Sequence, residues 1–169
     1  MMRSELEFKL AHPGDGRLLT RMAIDSKSFW GYPEDIMRIW EPELQIDEAY
    51  IKQNIVYKIL IKDELIGFYA LRFLDVQNCF EIDHLWLKPS HIHQGFGRTV
   101  FIRILSYLKE LGQTKTLLKC DSYSSGFYLK MKGHLKGQEE SKIEGRYLTV
   151  YEFDVKEIAE MASLESLNN

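Results

Sequence analysis

Apolar and polar positions alternate from Glu7 to Ala11, which predicts a short, half-buried strand near the start of the chain. His12-Pro13-Gly14-Asp15 then reads as a turn, after which Leu18, Leu19, Met22 and Ala23 recur at helical spacing. Beyond the aromatic turn Phe29-Trp30-Gly31-Tyr32-Pro33, the spacing predicts helix through Ile36, Ile39 and Trp40, and again from Asp47 to Gln53. Three strands are expected in quick succession: Ile55 to Ile61, Leu65 to Phe73 and Phe80 to Leu87, the last stopped by Pro89. Arg98 to Leu111 carries the clearest helical face, with Val100, Phe101, Ile104, Leu105, Leu108 and Leu111 on one side and Gly112 at its end. A strand from Thr116 to Cys120, a helix through Tyr128, and strands near Leu135 and from Tyr147 to Val155 complete the pattern. The tail from Lys156 reads as helix, frayed at its end.

This order predicts an α/β (α+β) fold with a mixed sheet and helices on its faces. The meander supplies antiparallel pairing, and the strand–helix–strand unit around Arg98 to Leu111 supplies a parallel pair. At 169 residues, without repeats or linkers, the expectation is one domain over residues 1–169.

Composition changes this picture little: 45% hydrophobic and 28% charged residues are ordinary for a globular protein. No apolar run approaches the roughly 18–20 residues a bilayer span needs. Met1-Met2-Arg3-Ser4-Glu5 lacks an apolar signal core. Cys79 and Cys120 form no metal or disulfide framework, so a cytoplasmic protein without membrane association is expected. Charge is more informative. From His84 to Lys136 nine Lys/Arg face only Glu110 and Asp121, a local +7 inside a chain of net −3. Such a segment suggests a locally bound anion rather than a nucleic-acid partner, although solvated helix faces give the same pattern.

The segment that fits an anion best is Ile92-His93-Gln94-Gly95-Phe96-Gly97-Arg98, where a strand gives way to a two-glycine turn opening into the long helix. The first N–H groups of a helix lack internal partners and carry the positive end of its dipole. Glycines let the backbone bend so that those groups converge on a phosphate. His93, Gln94, Gly95, Phe96, Gly97, Arg98 and Thr99 are therefore candidate phosphate-binding residues. A Gly-x-Gly turn also serves as a plain tight connection. The absence of a Gly-Lys-Ser/Thr sequence argues against ATP.

Here the chain resembles the GNAT N-acyltransferase superfamily, over nearly its whole length. The family's Arg/Gln-x-x-Gly-x-Gly/Ala signature opens a helix after a strand that ends shortly before a proline. Gly95-Phe96-Gly97 matches its glycine half, and Ile92 stands where Arg or Gln belongs. Asp121-Ser122-Tyr123-Ser124-Ser125-Gly126-Phe127-Tyr128 resembles the family's Asp-Pro-Asn-Ala-x-x-Phe-Tyr segment, with Tyr123 and Ser124 at the Asn and Ala positions. Gly133 follows Tyr128 one residue later than usual. The resemblance implies a mostly antiparallel sheet of about seven strands and acetyl-CoA as cosubstrate, without a metal. It implies that Leu85, Trp86 and Leu87 pair their backbone with the pantetheine arm, and that Tyr123 and Ser124 lie along that arm. It also implies that Tyr128 protonates the departing thiolate.

Transfer from a thioester to an amine further needs a base, and Glu81 and Asp83 alternate onto one face of the strand leading to the glycine turn. Both also read as ordinary paired strand acids. The partner is expected to be a small-molecule or peptide amine. Phe29, Trp30 and Tyr32 either line its pocket or pack beneath the first helices. Glu34, Asp35, Glu41 and Glu43 either attract a cationic amine or are solvated helix acids. His91 and His93 lack a ligand cluster around them, and His84 reads as a hydrogen-bonded strand residue or an alternative base. Cys120 has no activating neighbour in sequence and reads as core. The C-terminal helix or an open sheet edge offers a surface for a homodimer. The changes at Ile92, Tyr123 and Ser124 leave a rival open, a non-catalytic CoA-binding or sensor domain.

Overall fold

The computed structural model describes residues 5–167, the side chains of residues 165 and 166 excepted. The expectations for Met1 to Ser4 and for the fraying of the last two residues lie outside the described residues. The strands are β1 (Leu6–Leu10), β2 (Ile55–Ile61), β3 (Glu64–Leu74), β4 (Cys79–Leu87), β5 (Lys115–Cys120), β6 (His134–Glu140) and β7 (Tyr147–Asp154). The helices are α1 (Gly16–Ser28), α2 (Glu34–Leu44), α3 (Glu48–Gln53), α4 (Phe96–Glu110), α5 (Ser122–Lys130), α6 (Val155–Ala159) and α7 (Met161–Leu167). The strands form one seven-stranded sheet in the order β1-β2-β3-β4-β5-β7-β6. β1–β2, β2–β3, β5–β7 and β6–β7 pair antiparallel, and β4–β5 pair parallel. This is the mixed, mostly antiparallel sheet expected from the sequence. The described residues form two compact units, one of residues up to Arg72 with Asp83–Ile92 and the other of Phe73–Ile82 with the residues from His93 onward.

In the first unit, β2 and β3 are joined by Lys62 (φ 47°) and Asp63 (φ 66°), both left-handed. Two such residues make the type I′ turn, whose twist matches a right-twisted hairpin. α1 turns Leu19, Met22 and Ala23 inward, all buried. The hydroxyl of Thr20 accepts from the Ile46 N–H at 2.8 Å, fixing the chain just before α3. Asp47 then caps α3 by accepting from the N–H of Tyr50 at 2.7 Å, which sets the position of Tyr50. Close approach dictates glycine at Gly67: a Cβ there would stand 2.4 Å from the carbonyl oxygen of Trp86.

In the second unit, α4 starts at Phe96, earlier than the Arg98 expected. Glycine inside the pattern suggested loop, but its entropic cost in a helix is only about 0.5–1 kcal/mol relative to alanine, which the buried face from Val100 to Leu108 outweighs. The helix ends as the sequence suggests, with Gly112 (φ 77°) past its last turn. The N–H groups of Gly112 and Gln113 bond the carbonyls of Lys109 and Leu108 at 2.9 and 3.0 Å. Its inner face carries Val100, Phe101, Ile104, Leu105 and Leu108, all fully buried, whereas Leu111, expected on the same face, caps the helix end and is exposed. Each such side chain contributes about 1.5–3 kcal/mol of burial. Phe101 stands edge-on to Phe153 of β7, 4.9 Å between centroids. The tail forms two short helices rather than one, with Asp154 capping the first through the N–H of Glu157 at 2.9 Å.

Candidate functional site

Within the second unit the two sequence blocks meet. α4 is preceded by Gly95 in the left-handed conformation (φ 84°) and has neither a side-chain cap nor an acidic residue in its first turn. His93 is left-handed as well (φ 63°), so the backbone bends twice before the helix. A Cβ on Gly95 would meet nothing within 4 Å, and one on Gly97 only the Phe127 ring, at 3.6 Å. The turn is therefore open above Gly95 and lightly backed by α5 at Gly97. Arg98 is half-buried, and its guanidinium points a donor at the Met131 sulfur, 3.6 Å away. Gln94 and Thr99 are exposed. An uncapped helix start of this kind, basic and free of acids, fits a pyrophosphate.

Asp121 caps α5 by accepting from the N–H groups of Tyr123 and Ser124 at 3.1 and 3.3 Å, and the Ser124 hydroxyl also donates to it. This starts the helix that carries Phe127 and Tyr128. The Tyr128 ring is buried among Phe101, Phe127 and Phe153, at centroid distances of 5.7, 5.1 and 6.2 Å. Its hydroxyl makes no hydrogen bond among the described residues, yet it is not sealed from solvent. Burial, with Cys120 and Asp121 close by, pushes the phenol well above the usual tyrosine range, so it stays protonated. Burial likewise pushes the Cys120 thiol up to about 11, with Asp121 adding to the rise. A thiol so disfavoured as thiolate is a poor nucleophile.

Glu81 belongs to the same unit and is 2% exposed, with Lys119 at 3.9 Å. Lys119 also holds Glu139, at 2.8 Å. Glu81 stands opposite Leu117 in the parallel ladder, which comprises Phe80↔Thr116 and Glu81↔Leu117, and β4 runs on to Leu87.

In the first unit, Asp83 accepts from the Tyr50 hydroxyl at 2.6 Å and pairs with Arg72 at 3.2 Å. Nε2 of His84 lies 3.7 Å from the same carboxylate. Nδ1 of His84 accepts from the indole N–H of Trp86 at 2.9 Å. Burial lowers the His84 pKa, Arg72 acts in the same direction and Asp83 opposes. Both ring nitrogens thus have neighbours, which favours the hydrogen-bonded reading of His84 over that of a base. Leu85, Trp86 and Leu87 are half-buried.

The aromatic turn divides. Phe29 and Trp30 pair edge-to-face at 5.3 Å, whereas Tyr32 stands edge-on to Trp40 at 4.7 Å. The ammonium of Lys27 lies over Trp40, 4.0 Å from the ring centroid, and 5.1 Å from that of Tyr32. A cavity of about 700 Å³ also opens along α1, α2 and α3, lined by Arg17, Arg21, Arg38, Glu41 and Glu48 among others. None of the aromatic candidates lines it. Glu41 shares the lining of that cavity with Arg17, Arg21 and Arg38, and Glu34 is paired with Arg38 at 2.6 Å, so neither stands in a purely acidic surrounding.

Sequence reasoning missed Tyr50, Arg72 and Lys27, since their partners come from distant elements and no local pattern announces them. Among the described residues no group of three or more His, Cys, Asp or Glu is placed to hold a metal. His91 instead bonds the hydroxyl of Ser90 at 2.9 Å. No helix of the described residues is long and apolar enough to cross a membrane.

Among solved structures, a GCN5-related N-acetyltransferase of Rhodopseudomonas palustris matches 91% of this chain and 98% of its own, at 17% identity and a TM-score of 0.74. PaiA N-acetyltransferase of Thermoplasma acidophilum, in complex with coenzyme A, matches 89% and 99% at 20% identity and 0.68. Spermidine/spermine N-acetyltransferase SpeG of Vibrio cholerae matches 94% and 98% at 19% identity and 0.67. At these identities the likeness shows the fold. No curated protein matches the chain in sequence. The model of the acetyltransferase (GNAT) family matches residues 20–133, most of the chain and both sequence blocks. On that match, and with a fold of the same kind, the chain belongs to the GNAT acetyltransferase family, whose members use acetyl-CoA.

Proposed function

We propose that the protein transfers the acetyl group of acetyl-CoA to a primary amine of a small molecule or peptide, by direct attack within a ternary complex. The observation that carries this reading is the start of α4, bent at His93 and Gly95, uncapped, and adjoined through Gly97 by the Phe127-Tyr128 segment. Backbone N–H groups from Gly95 to Arg98 hold the pyrophosphate, Arg98 adds positive charge, and Thr99, whose N–H bonds the Gly95 carbonyl, borders the site with its side chain. With the grip mainly in the backbone, Ile92 in place of Arg or Gln matters little. β4 extends past its last residue paired with β5, which suits Leu85 to Leu87 to pairing with the pantetheine arm. Tyr123 and Ser124 lie along that arm.

The cosubstrate supplies an activated acyl group, and the chain supplies position and proton transfer. Tyr128 donates its proton to the departing thiolate as the C–S bond breaks and the C–N bond forms. Asp83 or Glu81 accepts the amine proton through water. Asp83, half-buried and oriented by Tyr50 and Arg72, suits this better than Glu81, which is 2% exposed. A backbone N–H near Leu85 to Leu87 stabilises the charge that develops on the carbonyl oxygen. Phe29, Trp30 and Tyr32 line the acceptor side.

Initial rates measured over both substrates test this. Direct attack gives intersecting double-reciprocal lines and no burst. Parallel lines, or an acetylated enzyme trapped before the amine is added, would overturn it.

A further inference from the structure

Lys27, on the last turn of α1, is only 8% exposed, an unusual burial for a lysine. Its ammonium lies 4.0, 5.1 and 5.8 Å from the ring centroids of Trp40, Tyr32 and Trp86. The three rings come from α2, the turn before it and β4. The walls also have contacts besides the lysine: Tyr32 stands edge-on to Trp40, and the Trp86 indole N–H donates to His84. Aromatic faces assembled in this way attract alkylammonium groups. The Lys27 side chain is itself a four-carbon primary alkylammonium.

We infer that Tyr32, Trp40 and Trp86 form an alkylammonium subsite whose resident is Lys27, and that Lys27 sets acceptor specificity by denying this subsite to a second ammonium on the acceptor. The specificity half rests on the reading of the protein as an amine acetyltransferase. Tyr32 belongs to the segment assigned to the acceptor, and Trp86 to the strand assigned to the pantetheine arm. A tethered group competes at an effective concentration on the order of millimolar or more, so a free cation does not displace it readily. The wild-type enzyme therefore gains nothing from a second ammonium. Emptying the cage lets a diamine use it.

Two measurements on wild type and Lys27→Ala test this. Two of the three tryptophans, Trp40 and Trp86, wall the cage, so tryptophan fluorescence reports on its occupant. At matched ionic strength, Lys27→Ala is expected to bind n-butylammonium saturably and at least about tenfold more tightly than wild type. With acetyl-CoA, the ratio of kcat/KM for 1,4-diaminobutane to that for n-butylamine is expected to rise about tenfold in the variant. Absence of saturable binding to folded Lys27→Ala overturns the subsite. Binding with an unchanged ratio overturns the specificity role. If neither amine is acetylated, the transferase reading fails for these acceptors while the titration still decides the subsite. Should Lys27→Ala not fold, Lys27→Gln, shorter and neutral, is expected to shift both readouts in the same direction, and a folded Lys27→Gln without either shift overturns the proposal.

Discussion

The indole N–H of Trp86 donates to Nδ1 of His84 at 2.9 Å, so neutral His84 carries its proton on Nε2, the nitrogen that faces Asp83. A tryptophan N–H only donates, so protonating His84 at Nδ1 would break this bond as well as bury a charge.

That arrangement has a pH signature. His84 has its pKa lowered from 6.5, chiefly by burial. Below that value the unfolded chain binds a proton that the native protein resists, so stability falls as pH falls from about 6.5 toward the lowered native pKa. The slope from this group is at most about 1.4 kcal/mol per pH unit. His84→Gln removes that contribution, and urea melts between pH 5 and 7.5 should show a flatter acid limb. An identical slope in the variant would show that His84 does not cause it.

Tyr128→Phe removes a hydroxyl that has no hydrogen bond to lose among the described residues. The melting temperature should barely change. Loss of a general acid lowers kcat by roughly a hundredfold or more. Acetyl-CoA affinity should stay near the wild-type value, and an unchanged kcat would remove Tyr128 from the proton transfer.

Gly97→Ala separates folding from cofactor binding. The added methyl has space beside Phe127 and sits in a helix, so stability should hold or rise by roughly 0.5 kcal/mol. Acetyl-CoA affinity should fall several-fold, because the methyl crowds the backbone that approaches the phosphates. Gly95→Val should weaken binding further and cost about 1–3 kcal/mol, since valine must adopt φ 84°. Changes at Ile92 or Gln94 should matter less than either. Calorimetry with acetyl-CoA, and with ATP as control, measures all four.

Gly133→Ala tests the packing behind Tyr128. A Cβ there would stand 2.9 Å from both the Tyr128 carbonyl oxygen and the Tyr151 ring. Backbone on one side and a buried ring on the other leave little room to yield, so a loss of about 1–3 kcal/mol is expected in denaturant melts.

Where the periodicity was strong, the sequence was a good guide. Ile55–Ile61 is β2 as read, and the face of α4 from Val100 to Leu108 is the buried one. Glycine misled at one point. Gly97 reads as loop by propensity but lies in the first turn of α4, where the burial of the following residues outweighs its small entropic cost. The two-glycine turn and the Phe127-Tyr128 segment were legible because each is a local backbone motif, and the Phe127 ring lies beside Gly97. The surroundings of Asp83 were not legible. Tyr50 reaches it from a helix 33 residues away, and Arg72 from the preceding strand. Lys27 likewise carries no signal in the sequence, because nothing local indicates that Trp40 and Trp86 will close around it.

Acetyl transfer itself is tested most directly by thiol release from acetyl-CoA across polyamines, aminoglycosides, amino acids and peptide N-termini, with the product identified by mass. A GNAT fold that binds CoA at Gly95–Gly97 and keeps Tyr128 protonated predicts amine-dependent thiol release and an N-acetylated product with at least one acceptor class. Saturable acetyl-CoA binding without thiol release across the panel would contradict it, and would mark the protein as one that binds CoA without using it.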